Sequence, residues 1–225
     1  MTDVRIVVGD CRHALQEIEA GSVQCCVTSA PRWSGGSALP SDHPDRPRDL
    51  GLVTSPYSYV AELARIFRHV RRVLATDGTV WLRIRDAYCS AELHGVRGLL
   101  GLPWRTAIAM QGDGWLLQAD FHVGEEGPHL GLREHVFLFS RSDHYRCDAS
   151  HLGPWLESAC AAARCIRAGS RPGDAVLDIF GAPGATAYAA SLWGRRAVVC
   201  DLDPARSEAL RDDLGPHATL IERTW

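Results

Sequence analysis

Near the C-terminal end a short apolar run, Ala175-Val176-Leu177, stops at Asp178, and a second, Ala197-Val198-Val199-Cys200, stops at Asp201. Between them stand a glycine-bearing turn, Gly181-Ala182-Pro183-Gly184, and a run of small residues opening Ala185-Thr186-Ala187. Strand, turn, helix, strand and acid in this order make a nucleotide-cofactor pocket, which leaves few folds open to the chain. Turn glycines let the backbone come close to a ligand, and a helix start presents free N–H groups. A carboxylate closing the second strand can take both hydroxyls of a ribose, the role expected of Asp201. Asp178 discriminates between cofactors, because a carboxylate there repels a pyrophosphate and attracts a cation. The expected cofactor is therefore S-adenosylmethionine, with its cationic methionine amine, rather than NAD.

At 225 residues the chain fits one domain, 1–225, with a sizeable core. Strand-like and helix-like segments alternate, which predicts an α/β sheet with helices on its faces. Val4 to Val8 reads as a buried strand ending at Gly9-Asp10, and Arg12 to Glu19 as a helix. Gln24 to Thr28 is a second strand that delivers Ser29-Ala30-Pro31-Arg32-Trp33 to its C-terminal edge. Residues 34–55 have no apolar period and read as a long loop, a lid or binding segment. From Tyr57 to Leu74 the apolar residues Val60, Leu63, Ile66, Phe67, Val70 and Val73 fall on one helix face. The arginines between them, Arg65, Arg68, Arg71 and Arg72, belong to its solvated side. Asp77-Gly78 turns into a strand from Thr79 to Ile84, Pro103 opens a helix through Met110, and Trp115 to Val123 is a strand. Residues 124–134 form a second long loop, His135 to Phe139 a strand and Pro154 to Arg167 a helix, and the cofactor segment closes the chain.

The net charge of −3 gives no general attraction for polyanions, so any nucleic-acid contact rests on a local patch. All 24 basic residues are Arg, and Asn is absent as well, a bias that a GC-rich genome explains more simply than function does. Eight Cys show none of the paired spacings of zinc sites and read as buried thiols of a reducing cytoplasm. The spacings of His135, His144, Cys147 and His151 match no standard site, so no metal is expected. No basic-then-apolar leader opens the sequence, and no apolar stretch reaches about 18 residues. A cytoplasmic protein without a membrane partner is the expectation.

In a doubly wound sheet, motifs distant in sequence meet at the C-terminal strand edges where strand order reverses. Gly9-Asp10-Cys11, Thr28-Ser29-Ala30-Pro31-Arg32-Trp33, the stretch from Val70 to Leu82, and Gly101-Leu102-Pro103-Trp104-Arg105 precede Glu134 to Ser140 and Ala168 to Asp174. That ordered set, over nearly the whole chain, resembles the beta class of DNA amino-methyltransferases, which modify N4 of cytosine or N6 of adenine. The resemblance implies a Rossmann-like, S-adenosylmethionine-dependent methyltransferase fold. Its sheet would be doubly wound and mostly parallel with one antiparallel strand, circularly permuted so that the cofactor half comes last. It further implies DNA as partner and a restriction-modification setting. By position, Asp10 would take the adenine amino group with Cys11 beside it, and Asp178 and Gly184 the methionine end. Thr28, Phe180, Gly181 and Thr186 complete the cofactor set. Ser29 through its hydroxyl and Ala30 through its carbonyl would accept the hydrogens of the target amine, next to Pro31, Arg32 and Trp33.

The sequence departs from the family at several points. Arg32 stands where an aromatic residue stacks on the flipped base, a contact worth about 1–3 kcal/mol in stacking systems. A guanidinium also stacks on bases, and Trp33 is adjacent, but a cation beside a sulfonium is electrostatically opposed. In the cofactor turn one glycine has shifted and a hydroxyl has become Ala185. Val123-Gly124-Glu125-Glu126-Gly127 is acidic and short where relatives carry a Trp-His-Lys-Pro-Asn stretch, which weakens the grip on duplex DNA. Ser rather than Asp at position 29 resembles many cytosine-N4 enzymes. Two other functions stay open: a weakened or inactive binding or regulatory module, paired with an active subunit or as a homodimer, and an amino-methyltransferase for a small molecule or single-stranded nucleic acid. Asp10 as a plain helix cap and Ser29 as a turn hydroxyl are the simple structural alternatives.

Overall fold

The computed structural model describes residues 3–33, 36–37, 39–89, 98–124, 134–153, 155–157, 160–181 and 184–222. In chain order these form β1 (Val4–Val8), α1 (Cys11–Glu17), β2 (Val23–Ser29), α2 (Pro56–Val73), β3 (Leu74–Arg85), β4 (Tyr88–Cys89) and β5 (Gly98–Leu99). There follow α3 (Leu102–Gly112), β6 (Leu116–Val123), β7 (Glu134–Ser140), β8 (Trp155–Leu156) and α4 (Ala161–Gly169). The last third holds β9 (Ala175–Asp178), α5 (Ala185–Leu192), β10 (Arg196–Asp201), α6 (Pro204–Leu214) and β11 (Ala218–Glu222). Among the described residues the main sheet runs β11-β1-β10-β9-β2-β3-β7-β6-β8, and β4 pairs with β5 apart from it. β7 is antiparallel to both its neighbours, and every other pairing in the main sheet is parallel.

Central strands of a parallel sheet are buried on both faces, which is why Cys25-Cys26-Val27 and Val176-Leu177 are unbroken apolar runs. On one face α1, α2 and α3 close a core around Leu63, Phe67, Leu82 and Phe137. On the other, α4, α5 and α6 close a second around Ile6, Trp81, Ile166 and Val199. The arginines of α2 serve the fold: Arg68 grips Asp113 through two bonds of 2.7 and 2.8 Å, Arg65 pairs with Glu62, and Arg72 donates to the Ile18 carbonyl at 2.8 Å.

Several boundaries differ from the sequence reading. Asp77-Gly78 lies inside β3, because pairing with β2 jumps from Val23↔Leu74 to Cys25↔Thr79 and leaves a bulge. Gly78 permits it, since a Cβ there would sit 2.8 Å from Leu74 Cγ. The helix expected from Pro154 starts only at Ala161: Trp155-Leu156 pairs with His122-Val123, and burying Leu156 completely outweighs helix propensity. Within 34–55 two 3-10 turns form, Arg46–Arg48 and Leu50–Leu52, while residues 125–133 of the second loop lie outside the described residues. Beyond the cofactor segment come α6 and β11, which the sequence reading omitted. Their signals are plain: Asp203 accepts from the Ala205 N–H at 3.0 Å, Pro204 opens the helix, and Gly215 ends it.

The fold places its site at one seam. From β9 the chain winds outward through β10 towards β11, and from β2 it winds the other way through β3. Pairing across the seam ends at Cys26↔Leu177, so Thr28 and Asp178 stand past it, where the direction of winding reverses and a crevice forms.

Candidate active site

Above the strand ends lies a cavity of about 350 Å³, within the size range of cofactor sites. Asp10 and Cys11 after β1, Ser29 to Arg32 after β2, Phe180 after β9 and Asp201 ending β10 all line it. Four motifs spread over more than 190 residues of sequence thus share one hollow. Thr28, Trp33, Asp178, Gly181, Gly184 and Thr186 do not line it.

Asp178 is buried. Its Oδ1 accepts from Thr28 Oγ1 at 2.7 Å and from the Phe180 N–H at 3.1 Å. Burial pushes its carboxyl up to about 6, against those two bonds, and the nearby Asp201 adds to the rise. Gly181 donates its N–H to the Cys200 carbonyl at 2.8 Å, and a Cβ on it would lie 2.1 Å from Val199 Cγ1, so only glycine lets this turn press on β10. Gly184 caps α5 at φ +84°, a left-handed conformation that suits glycine. Thr186 Oγ1 donates to the Val27 carbonyl at 3.2 Å and ties α5 to β2.

Asp10 and Asp201 end neighbouring strands, and each is held by an arginine. Arg12 grips Asp10 with Nε–Oδ1 at 2.9 Å and Nη2–Oδ2 at 2.6 Å, while Asp10 also caps α1 through the Arg12 N–H. Burial raises the Asp10 carboxyl, but the Arg12 bonds and charge together outweigh it and hold it below the usual range. Arg206 donates to Asp201 Oδ1 at 2.7 Å, yet there burial prevails and the carboxyl is pushed up. Sequence reading found the acids and missed these two arginines, although their spacings of two and five residues on helix starts are visible. Two carboxylates, Asp10 and Asp201, line the hollow with Asp178 buried behind it, a set that fits a ligand with a ribose, an amine and a positive charge and opposes a polyphosphate.

On the β2 side the turn is clamped from two directions. Ala30 donates its N–H to the Arg83 carbonyl at 2.8 Å, and Tyr59 Oη donates to the Pro31 carbonyl at 2.5 Å. Ser29 is exposed, and among the described residues nothing takes up its hydroxyl. Arg32 is exposed at the cavity rim with no ion-pair partner among the described residues, whereas Trp33 packs half-buried on the first core.

A family model described as DNA methylase matches residues 159–212, the α4-to-α6 segment that carries Asp178 and Asp201. The type II methyltransferase M.SmaI of Serratia marcescens is 27% identical over 88% of this chain and 86% of its own length. Across these matches the chain is similar to N4/N6 amino-methyltransferases. Solved structures agree on the fold. TTHA0409 of Thermus thermophilus, complexed with S-adenosyl-L-methionine, superposes with a TM-score of 0.75 at 22% identity, covering 98% of this chain and 99% of that one. PvuII DNA methyltransferase, cytosine-N4-specific, gives 0.74 at 19% identity over 94% and 86%.

The cysteines and the histidine cluster add no reactive group to the site. Cys11, Cys25, Cys26, Cys165 and Cys200 are buried, and burial pushes the Cys11 and Cys25 thiols up to about 12, so neither is a nucleophile. His144, Cys147 and His151 line a separate open hollow that His135 does not reach. No helix among the described residues is long and apolar enough to cross a membrane.

Proposed function

We propose that this protein transfers a methyl group from S-adenosylmethionine to an exocyclic amine of a DNA base, with cytosine N4 as the target. The observation carrying this reading is the shared lining of one cavity by the acids of β1 and β10 and by the Ser29-Ala30 turn. When bound, the cofactor supplies an electrophilic methyl on a sulfonium. Asp201 would hold its ribose, Asp10 its adenine amino group, and Asp178, at the glycine turn, its cationic end. Asp10 keeps acceptor capacity beside Arg12, because a carboxylate has about four lone-pair sites.

An exocyclic amine is a weak nucleophile because its lone pair is delocalised into the ring. Accepting both N–H bonds, one by Ser29 Oγ and one by the Ala30 carbonyl, returns the pair to nitrogen for attack. The two clamps on this turn hold those acceptors in place, which is where such preorganisation has its effect. Arg32, at the rim, is the residue placed to stack on the flipped base, and Trp33 belongs to the packing behind it. Serine at position 29 favours cytosine N4. The place of β1 between β10 and β11 supports the permuted chain order.

The test is methyl incorporation from labelled cofactor into duplex DNA, single strands, RNA and nucleosides, with digestion to identify the methylated base. Duplex labelling that yields N4-methylcytosine is the expected result. Ser29→Ala should lower the rate by about 10²- to 10³-fold while cofactor affinity is unchanged. Labelling of nucleosides alone, or full turnover by Ser29→Ala, contradicts the proposal.

A further inference from the structure

Away from the cofactor cavity, β6 and β7 bring together three side chains that the proposed chemistry leaves unused. Asp120 and His122 alternate along β6 and so share one face of the sheet. His135 stands directly opposite His122 on β7, their rings 5.0 Å apart between centroids. His135 Nδ1 lies 2.9 and 3.1 Å from the two Asp120 oxygens, and one ligand atom of each residue falls within 4.8 Å of the others. The His135 ring is nearly fully buried, stacked on Phe137 at 5.3 Å and met edge-on by Trp104 at 6.0 Å.

We infer that Asp120, His122 and His135 form a binding site for a divalent transition-metal ion of the zinc type. Two imidazoles and one carboxylate are the donor set such ions take, and three protein ligands leave a position for water. A tetrahedral centre with bonds of about 2.0–2.1 Å needs its ligand atoms roughly 3.3 Å apart, within side-chain adjustment of the observed spread. The site also has what a stray surface cluster lacks. Its ligands come from two hydrogen-bonded strands whose register fixes their spacing, and aromatic packing sets the His135 ring plane. An ion here links β6 to β7, so its binding raises the stability of the folded protein. Sequence spacing hid the site, because its third ligand lies 13 residues on and meets the other two only through strand pairing.

Metal-stripped full-length protein titrated with Zn²⁺ against a chromogenic chelator, and with Co²⁺ followed by visible absorption, tests this. One equivalent should bind, raise the thermal midpoint, and give a Co²⁺ spectrum without a thiolate charge-transfer band, which separates it from cysteine ligation. Asp120→Asn and His122→Gln avoid the buried ring of His135; each should weaken affinity by about tenfold or more, with an unchanged far-UV circular dichroism spectrum. The double variant His144→Gln/His151→Gln should bind as the parent does. Absence of saturable binding, a thiolate band, or undiminished affinity in either single variant overturns the inference.

Discussion

Asp178, proposed to hold the cofactor's cationic end, carries a cost in stability. Its carboxyl titrates at about 6 in the fold against an ordinary 3.8, so the folded protein holds the proton more tightly than the unfolded chain does. Burial therefore costs nothing below about pH 4, an increasing amount as pH rises, and up to about 3 kcal/mol above pH 6. Asp178→Asn keeps the Oδ1 acceptor for Thr28 and Phe180 and removes the charge. Urea denaturation should find this variant more stable than the parent at pH 7.5 and equal to it near pH 4. Calorimetry should show the reverse for the cofactor: lost affinity in the variant and, in the parent, affinity that falls as pH drops through 6, because a cationic ligand needs the ionised acid. Asp178 and Asp201 were legible in the sequence because each ends an apolar run. Arg12 and Arg206, two and five residues beyond the acids they hold, end no apolar run, and the folded helix starts bring their guanidinium groups back onto the strand ends.

At the scale of elements, α2 does more than cover the sheet. Tyr59 in its first turns reaches the Pro31 carbonyl, so the helix clamps the turn that carries Ser29 and Ala30. Tyr59→Phe should cost about 1 kcal/mol in stability, the net worth of one hydrogen bond. As a positioning residue it should lower kcat while the cofactor Kd stays put, a split that mere loss of stability does not produce. Helix α4 makes a different demand: a Cβ on Gly169 would meet Cys25 Sγ, Thr79 Oγ1 and Trp81 Nε1 at 2.7–2.8 Å. Gly169→Ala should lower stability by about 1–3 kcal/mol through overpacking, read as a shifted thermal midpoint. The periodic face of α2 made that helix readable from the sequence. By contrast β8 is two residues long and was hidden, because its strand conformation comes from pairing with β6 and not from any pattern of its own.

Over the whole molecule, the two halves of the sheet meet at β9 and β2 through few paired residues, and the Thr28–Asp178 bond crosses that seam at the floor of the site. Thr28→Val preserves shape and removes the donor, leaving a buried carboxylate short of a partner, at a cost of about 1–3 kcal/mol. The loss should be larger at pH 7.5 than at pH 5, since the ionised acid needs the bond most, and urea midpoints at both values would show it. Strand burial and glycine geometry leave local patterns, which made the α/β class, the acids at the strand ends, the serine-bearing turn and their common edge legible along the chain. Which of Arg32 and Trp33 faces the cavity, and the meeting of Asp120, His122 and His135, come from the folded chain alone. Those depend on strand register and helix placement, where residues far apart in the chain become neighbours through packing that no local pattern encodes.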